Sequence, residues 1–439
     1  MKKRIILIGA GSTSFGPSMF SDIYQSKILE GSSIVLHDTN AEKLTMIYEL
    51  LLKENEMAGE KFQIEKSLDR RKALQDADFI INSIEVGNRM ELWRQDYEIP
   101  RELGSTQVLG ENGGPGGTFH SFRIIPPIVE IVKDVERICP NAFFINYSNP
   151  MSRVCLAIKR AVDIKFIGLC HEIHSLQLYI PKLLNKELKQ LKMTVAGLNH
   201  FGFLLGLKDL KSGEDLLPEF NEKAMSYFKK HKDPFEFSTL TFEVYKRFRY
   251  FPHAGDNHMG EYLQFAEEFT ETKDMIKWID RTEKHNELIY KRVLRYYKRL
   301  KKDRYSKRGM LYTTPSGERA IAIIEAILTD QNSYEESVNI PNNGIITNLP
   351  EDLVVEGPVE VNKNGVHGIK IGNMPKDIAA ILRIEATIQD ICVEAVLKRS
   401  KNIAINALAI DPNVGSFEMA EKVFNKMTEI QGEYLPKFK

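Results

Sequence analysis

The chain has 439 residues, of which 60 are Lys or Arg and 60 are Asp or Glu, and 43% are hydrophobic. A balanced charge offers no electrostatic footprint for nucleic acid or an anionic membrane, and no apolar run reaches the roughly 18 residues that cross a bilayer. The four cysteines are far apart and include no CxxC pair, which excludes a disulfide scaffold or a zinc ribbon. These features predict a cytoplasmic globular α/β protein with no nucleic-acid or membrane partner, and the length favours two domains.

The first half of the chain has the pattern of a Rossmann-like domain. Residues 4–8 form a continuous apolar run, as expected for a strand that is buried on both faces of a parallel sheet. Similar apolar runs that end in polar residues follow at 33–38, 78–83, 142–147 and 165–170. Because open α/β sheets bind ligands beyond the carboxyl ends of their strands, we expect functional residues to lie there.

The second half is rich in charged and aromatic residues. Its predicted elements are helices and short strands, at 226–250, 265–302, 353–361, 365–371, 378–399 and 417–431. The pattern changes near residue 195. We therefore predict an α/β fold with a Rossmann-like N-terminal domain over 1–195 and a C-terminal α+β domain over 196–439.

A glycine-containing turn after the first strand is the first sign of a ligand. Gly9 and Gly11 would let the backbone approach a pyrophosphate at the amino end of the next helix. Asp38 ends the second strand, where an acidic side chain would hydrogen-bond a ribose 2′-hydroxyl and disfavour a 2′-phosphate. Ser14 stands where the full fingerprint has its third glycine, so a structural turn is the alternative. We predict a dinucleotide site, with NAD preferred over NADP.

A second glycine-rich segment has five glycines in the eight residues 110–117 and precedes a helix that is predicted over 122–139. Glycines cost chain entropy on folding, which favours a loop that approaches a ligand over an idle surface loop.

Cysteine and histidine side chains form the third candidate group. Cys170 ends the strand at 165–170, and His200 follows 30 residues later. A thiolate and an imidazole could share one divalent ion, although each residue could equally be an ordinary buried side chain. Residues 253–262 include two His, one Asp, one Glu and one Tyr, which indicates either an acid–base cluster or a solvated turn.

These segments, in this order, resemble the NAD-dependent family-four glycoside hydrolases over nearly the whole chain. The matching segments are 9–12, 78–82, 114–117 with Arg123, 146–150, 168–171, 197–200, 343–346 and 348–350. The resemblance implies that Cys170 and His200 are the metal ligands, usually for Mn²⁺. The positions that it implies for NAD binding are Gly9, Gly11, Ser12, Asp38 and Asn82.

The resemblance also implies roles for five polar residues near these sites. His171 matches the general-acid position. Asp256 matches the region of the base that removes the C2 proton, with His258 and Tyr262 as alternatives. Asn149 would hold the C2 and C3 hydroxyls of the sugar beside the metal.

The implied reaction is an elimination assisted by a transient oxidation, which departs from the usual two-carboxylate scheme of glycosidases. NAD⁺ takes a hydride from C3, and the metal polarises the resulting carbonyl. A base then removes the acidified C2 proton, and the aglycone leaves from C1 with help from an acid. Water adds to C1 and the hydride returns to C3, so no net redox change occurs.

The choice of sugar is less constrained than the reaction. Residues 170–172 and 254–258 resemble the α-galacturonidase and α-galactosidase branch, and a 6-phospho-glycosidase or an α-glucosidase is the alternative. Arg94 lies in a stretch that resembles a phosphate-binding region. Its fork would suit a uronic carboxylate equally well, and a surface salt bridge is the third interpretation.

Two other classes of protein remain open from the sequence. A malate- or lactate-type dehydrogenase shares this N-terminal architecture, and a non-catalytic NAD-binding sensor would also need the dinucleotide turn. For the glycosidase we expect a small-molecule glycoside substrate and a homo-oligomer, either a dimer or a tetramer.

Overall fold

The computed structural model describes residues 2–13, 15–231, 237–305 and 315–439, so Ser14 lies outside the described residues. Twelve strands within these ranges form one continuous sheet. The strands are β1 (Arg4–Ile8), β2 (Ser33–His37), β3 (Gln63–Ser67), β4 (Phe79–Asn82), β5 (Phe143–Asn146), β6 (Lys165–Gly168), β7 (Leu191–Leu198), β8 (Phe201–Asp209), β9 (Phe251–Pro252), β10 (Ser333–Pro341), β11 (Val354–Asn362) and β12 (Gly365–Gly368).

Helices cover the faces and ends of this sheet. Within the described ranges they are α1 (Phe15–Gln25), α2 (Ala41–Met57), α3 (Arg70–Ala73), α4 (Arg89–Glu102), α5 (Gly114–Ile138), α6 (Met151–Ala161), α7 (His174–Leu184), α8 (Leu217–Lys230), α9 (Thr239–Phe248), α10 (Asp256–Met259), α11 (Thr272–Leu300), α12 (Ala320–Thr329), α13 (Lys376–Lys398), α14 (Lys401–Ala409) and α15 (Phe417–Gln431). None of them combines the length and apolar character that crossing a bilayer requires.

The N-terminal half of the sheet is parallel and has the strand order β3-β2-β1-β4-β5-β6, which is the Rossmann order. Ile5 and Ile6 of β1 have no exposed surface, as the continuous apolar run predicted. The predicted Rossmann-like fold is confirmed. Strand β3 was not predicted, because it lies at the sheet edge and its sequence is largely polar and exposed.

The C-terminal half extends the same sheet with antiparallel strands. Strand β10 pairs with β6 at Asn339 and Gly168, and the order continues β11-β7-β8-β9. The boundary predicted at residue 195 therefore falls inside β7. Because the sheet is continuous, residues of β6 and of the turn between β7 and β8 can meet at one site.

The glycine-rich segment at 110–117 differs from the prediction. Helix α5 already begins at Gly114, so Gly116 and Gly117 form its first turn. A Cβ on Gly116 would lie 2.4 Å from the carbonyl oxygen of Gly110, and one on Gly117 would lie 2.3 Å from the carbonyl carbon of Asn112. The glycines thus permit close packing at the start of this helix.

One large cavity opens beyond the carboxyl ends of the parallel strands, as the strand pattern predicted, and its volume is about 890 Å³. Its wall includes Gly11, Ser12, Asn149 and His171, together with residues of α4 and α11. Four residues of the site that is described next, Gly11, Ser12, Asn149 and His171, line this cavity.

Candidate active site

The turn after β1 has the close backbone approach that a dinucleotide needs. Gly9 has a positive φ of 85°, and a Cβ there would lie 2.8 Å from the carbonyl oxygen of Ser83. The Gly9 N–H donates to the His37 carbonyl at 3.0 Å, which ties the turn to the end of β2. Only glycine fits this conformation and contact without strain.

Asp38 and Ser12 fix the same turn from either side. The N–H of Gly11 donates to Asp38 Oδ2 at 2.8 Å, so the acidic residue at the end of β2 lies beside the glycine turn, as predicted. The Ser12 hydroxyl oxygen accepts the N–H of Phe15 at 3.1 Å and caps the start of α1. Gly11 and Ser12 both line the cavity.

Asn82 lies one layer below the cavity and has no exposed surface. Its Nδ2 donates to Asn146 Oδ1 at 3.0 Å and to the Ser148 hydroxyl at 3.2 Å, so it connects the ends of β4 and β5. Its Oδ1 is buried without a hydrogen-bond partner among the described residues. The carbonyl oxygen is therefore left to accept a hydrogen bond, and contact with NAD stays a prediction.

Cys170 and His200 meet at the junction of the parallel and antiparallel strands. Cys170 Sγ lies 3.1 Å from His200 Nε2. His200 occupies the turn between β7 and β8 with a positive φ of 61°, and its Nδ1 lies 3.1 Å from Asn112 Nδ2. This second contact orients the ring so that Nε2 faces the thiol, which is the arrangement a shared metal ion requires.

Two residues that the sequence did not assign as ligands complete the group. Glu172, His200 and His258 each place one ligand atom within 4.8 Å of the others. Glu172 Oε2 is 3.8 Å from His200 Nε2 and 4.0 Å from His258 Nε2. Together with the thiol of Cys170, this set of sulfur, nitrogen and oxygen donors suits a divalent transition-metal ion.

The charges around these donors depend strongly on burial. Burial raises the pKa of the Cys170 thiol well above its usual value, and the Glu356 and Glu172 carboxylates raise it further. Burial lowers the pKa of His200 well below its usual value, with His258 adding to the effect. His200 is thus held neutral, which is the form that binds a metal ion. A cation at the site would favour the Cys170 thiolate.

Asp256 lies elsewhere, and its placement argues against the predicted role as base. The carboxylate is 2% exposed and accepts the N–H groups of Ser238, Leu240 and Thr241 at 2.8 to 3.1 Å, and the Thr241 hydroxyl at 2.6 Å. These groups belong to the start of α9, so Asp256 neutralises the open end of that helix. Both carboxylate oxygens of Asp256 already accept hydrogen bonds, and Asp256 is not among the residues that line the cavity.

The two alternative bases differ in their surroundings. The Tyr262 ring stacks on Phe201 at 5.0 Å, and its hydroxyl donates to the Asn199 carbonyl at 3.5 Å. His258 belongs to the metal-type group, and Glu261 Oε1 holds its Nδ1 at 3.2 Å. The other Glu261 oxygen accepts the N–H groups of residues 111–113, which fixes this carboxylate firmly. His258 Nε2 therefore remains directed towards Glu172.

Two matches to family models cover most of the chain. The model of the family 4 glycosyl hydrolases matches residues 4–186, and the model of the family 4 glycosyl hydrolase C-terminal domain matches residues 195–414. The chain belongs to the family 4 glycosyl hydrolases. This membership confirms the resemblance and makes the protein a glycoside hydrolase rather than a malate- or lactate-type dehydrogenase.

Curated relatives and solved structures agree with the family over the full length. An α-glucosidase of Erwinia rhapontici is 37% identical, with 94% of each chain covered. An α-galactosidase of Bacillus subtilis (strain 168) is 30% identical, with 100% of each chain covered. The fold also matches a 6-phospho-α-glucosidase from gut microorganisms, solved in complex with NAD and Mn²⁺, at a TM-score of 0.87 with 23% identity and 100% of each chain covered.

Two further predicted residues lie in the wall of the cavity. Asn149 and His171 both line it. Asn149 Oδ1 is buried without a partner among the described residues, so it is free to accept a substrate hydroxyl. The His171 side chain is 69% exposed and follows Cys170 directly, which places it between the metal-type group and the open cavity.

Arg94 is not part of the cavity wall, which argues against its predicted contact with the substrate. Its guanidinium pairs with Asp280 at 2.8 Å and Glu283 at 3.1 Å, both on α11, so its role is that of a salt bridge between helices. Among the described residues, the arginine in the cavity wall is Arg89, in the first turn of α4. Arg89 is paired with Glu111 and with Glu85.

Sequence reasoning missed Arg89, Glu172 and Glu318 as cavity or donor residues. Glu172 had a signal, because it follows Cys170 and His171 beyond the end of β6. The sequence signal for Arg89 was weaker: it is the first residue of the helix that also contains Arg94. Glu318 precedes α12 and carries no motif, so only the tertiary structure brings it into the cavity wall.

Proposed function

We propose that this family 4 glycosyl hydrolase is an NAD- and divalent-metal-dependent α-glycosidase whose substrate is a neutral hexoside. The observation that carries the proposal is the 3.1 Å separation of Cys170 Sγ and His200 Nε2 beside a dinucleotide-type turn. The α-glucosidase and α-galactosidase relatives support the anomer and the neutral sugar.

The residues present fit both cofactors. Gly9 and Gly11 leave room for a pyrophosphate, and Asp38 is placed to accept from a ribose hydroxyl. Cys170 and His200 would hold Mn²⁺ or a similar ion, with Glu172 as the nearby donor, and His258 would stay unligated beside them. When bound, NAD⁺ supplies a hydride acceptor for C3 and the metal supplies a Lewis acid for the resulting carbonyl.

The side chains of the chain itself bind the sugar and move its protons. The free Oδ1 of Asn149 accepts a hydrogen bond from the C2 or C3 hydroxyl. His258 replaces Asp256 in the assignment of the base for the C2 proton, because its Nε2 faces the metal-type group while Glu261 holds Nδ1. Burial lowers the pKa of His258, but the carboxylates of Glu172, Glu261 and Glu111 outweigh it and raise this pKa to about 9. A cation held by Cys170 and His200 would lower the pKa again and leave Nε2 able to take the proton. His171, at the open side, donates a proton to the departing glycosidic oxygen.

The charge of the cavity wall favours a sugar that carries a neutral hydroxyl at C6. Within the described part of the chain, the Lys and Arg side chains in the wall are Lys43 and Arg89. Lys43 lies beside Gly11, at the nucleotide end, and Arg89 is already paired with two carboxylates. A C6 carboxylate or phosphate would need a charge-assisted partner that neither cation offers. Together with the α-glucosidase and α-galactosidase relatives, these described residues lead us to favour an α-glucoside or α-galactoside over a galacturonide or a 6-phospho-glycoside.

A matched panel of substrates tests this proposal. The nitrophenyl α-glucoside, α-galactoside, α-galacturonide and 6-phospho-α-glucoside are each assayed with NAD⁺, Mn²⁺ and a thiol reductant. We expect hydrolysis of a neutral member with kcat/KM at least about tenfold above the charged members, a requirement for added NAD⁺, and no accumulation of NADH. A preference for the galacturonide or the phosphorylated substrate contradicts the neutral sugar, and stoichiometric NADH formation contradicts the glycosidase mechanism.

Two broader expectations accompany the proposal. All four cysteines are free, and a metal-binding thiol such as that of Cys170 requires reducing conditions, in keeping with a cytoplasmic location. We also expect a homo-oligomer, either a dimer or a tetramer. Light scattering of the purified protein distinguishes a monomer from a dimer or a tetramer.

A further inference from the structure

Glu318 is a carboxylate in the cavity wall that the proposed reaction has not yet used. It lines the cavity together with Asn149 and His171. Its side chain is 18% exposed, whereas that of His171 is 69% exposed, and Glu318 Oε1 lies 3.8 Å from His171 Nδ1. A largely enclosed carboxylate thus faces one nitrogen of a largely exposed imidazole.

The segment that carries Glu318 is fixed by contacts at each end. Ser316 donates its N–H to Asp22 Oδ1 at 2.7 Å. Arg319 pairs with Glu335 through two hydrogen bonds of 2.6 and 2.7 Å.

The Glu318 side chain has an anchor of its own. It hydrogen-bonds with the hydroxyl of Tyr147, and that hydroxyl also accepts the N–H of Ala320 at 3.3 Å. The position of the carboxylate is therefore set by the fold rather than by His171.

An exposed imidazole needs a partner if it is to present one nitrogen to a substrate. A free histidine side chain samples several rotamers and both tautomers, and a carboxylate at one ring nitrogen selects among them. We propose that Glu318 is a positioning residue, which holds Nδ1 of His171 so that Nε2 points into the cavity towards the glycosidic oxygen. This inference rests on the proposed role of His171 as the general acid.

The proton balance of the step is simple. As the C2–H bond breaks, its proton passes to the base and its electron pair forms the C1–C2 double bond. The C1–O bond breaks, and its electron pair stays on the departing oxygen. That oxygen takes the proton from His171 Nε2, and the imidazole becomes neutral. Glu318 keeps its negative charge throughout and exchanges no proton with the substrate. Its effect should therefore appear only where the leaving group needs protonation.

The test measures how the rate depends on the leaving group. Glu318→Gln and His171→Ala are assayed with aryl α-glycosides, from nitrophenyl, which departs without protonation, to phenyl and a disaccharide. For Glu318→Gln we expect kcat/KM to fall about ten- to hundredfold for the poor leaving groups, as is typical when the orienting partner of a functional histidine is removed. For the nitrophenyl substrate we expect a change of no more than about threefold.

Controls separate this role from a structural one. Glu65→Gln removes a carboxylate that pairs with Arg4 at the edge of the sheet and lies outside the cavity wall, so it should leave the dependence on the leaving group unchanged. The double variant Glu318→Gln/His171→Ala should be no slower than His171→Ala alone, because Glu318 acts through that ring. Additive losses in the double variant overturn the proposal, as does an equal loss for every leaving group in Glu318→Gln.

The two proposals fail in different ways. If His171→Ala shows no dependence on the leaving group, the assignment of the general acid fails first. If His171→Ala shows that dependence and Glu318→Gln does not, the general acid stands and the positioning role of Glu318 is overturned.

Discussion

At the scale of single residues, the metal-type pair depends on a backbone conformation that the sequence does not reveal. His200 has a positive φ, which is uncommon for a residue with a side chain. This conformation turns its ring towards Cys170, and Asn112 fixes the ring from the other side. The position of Cys170 could be predicted from the end of a strand, whereas a spacing of 30 residues left its pairing with His200 open.

Removing either member of the pair should abolish metal-dependent activity. For Cys170→Ala and His200→Ala we expect Mn²⁺ affinity to fall about 100-fold or more, because half of the best-placed donor pair is lost. NAD⁺ affinity should change by less than about threefold, since the turn at Gly9 and Gly11 is separate from these donors.

Mn²⁺ binding is followed by electron paramagnetic resonance and NAD⁺ binding by calorimetry. Cys139→Ala is the matched control, because Cys139 is a buried cysteine at the end of α5 that is remote from the donor group. Unchanged Mn²⁺ affinity in Cys170→Ala would show that this thiol is only a buried apolar side chain.

Arg94 and Arg89 show why charged residues are hard to assign from sequence. Both lie on α4, five residues apart, and both are surrounded by acidic residues in the chain. Which one reaches the cavity depends on the direction of the helix face and on partners in distant segments, such as Asp280 on α11. A local sequence motif gives neither the direction of the helix face nor the partners from distant segments.

At the scale of elements, Asp256 connects the start of α10 with the start of α9. We therefore expect it to stabilise the fold rather than to take part in the reaction. Its carboxylate accepts four hydrogen bonds from the first turn of α9, whereas an Asn side chain could accept at one oxygen only. For Asp256→Asn we expect the free energy of unfolding to fall by about 2 kcal/mol, with thermal or urea unfolding as the measurement.

A matched control is Asp215→Asn, because Asp215 lies just before α8 and its carboxylate accepts one exposed hydrogen bond from the N–H of Leu217. Its loss should cost less than about 1 kcal/mol. If Asp256→Asn keeps full stability but loses activity, the carboxylate has a chemical role after all.

The strands divide into those that the sequence predicts and those that it does not. The parallel strands β1, β2, β4, β5 and β6 are short apolar runs, because helices cover both of their faces. Strands β7, β8 and β10 were missed. Strand β10 (Ser333–Pro341) contains many polar residues and a bulge. Strands β7 and β8 are interrupted by glycines. None of the three therefore shows a regular alternation of apolar and polar residues.

At the scale of the whole molecule, a buried cluster of charged residues connects the N-terminal half of the chain with its C-terminal half. Arg153 on α6 pairs with Glu385 on α13 at 3.2 Å, and both are almost fully buried. Burial raises the pKa of Glu385 to about 7, although Arg153 opposes the shift and Asp411 adds to it. Burial likewise raises the pKa of Asp411 to about 6. One arginine thus faces two carboxyl groups.

This cluster should make the stability of the protein depend on pH. A carboxyl group with a raised pKa binds its proton more tightly in the folded state, so its contribution to stability is complete below the unfolded-state pKa near 4.5. That contribution is lost as the pH rises through about 7. We expect the free energy of unfolding to decrease over this interval, and Glu385→Gln to reduce the slope.

Urea unfolding at several pH values measures both slopes. The comparison between the variant and the parent protein isolates Glu385, because all other titrating groups are shared. An identical slope in Glu385→Gln would show that this carboxyl group stays ionised in the folded state.

The placement of the two halves on one sheet also predicts the order of the chemistry. The turn at Gly9 follows the first strand, and the metal-type group lies at the junction of β6 with the β7–β8 turn, so both belong to one sheet. The proposed reaction needs both groups to act on one sugar. If C3 is oxidised first, the C2 proton is acidified and must pass to a base during turnover. A substrate deuterated at C2 should therefore give a product that contains solvent hydrogen at C2, as measured by mass spectrometry or NMR. Complete retention of that deuterium would exclude the elimination route.

The same isotope experiment decides which residue is the base. Asp256→Asn should exchange C2 normally in the molecules that remain folded, because its carboxylate is occupied at the start of α9. His258→Gln should suppress the exchange, since an amide cannot take up the proton at neutral pH. Mn²⁺ binding by His258→Gln is measured alongside, because His258 lies close to the metal donors. Loss of exchange with Mn²⁺ still bound identifies His258 as the base, and normal exchange moves that role to Tyr262, whose hydroxyl lies next to the Asn199 carbonyl.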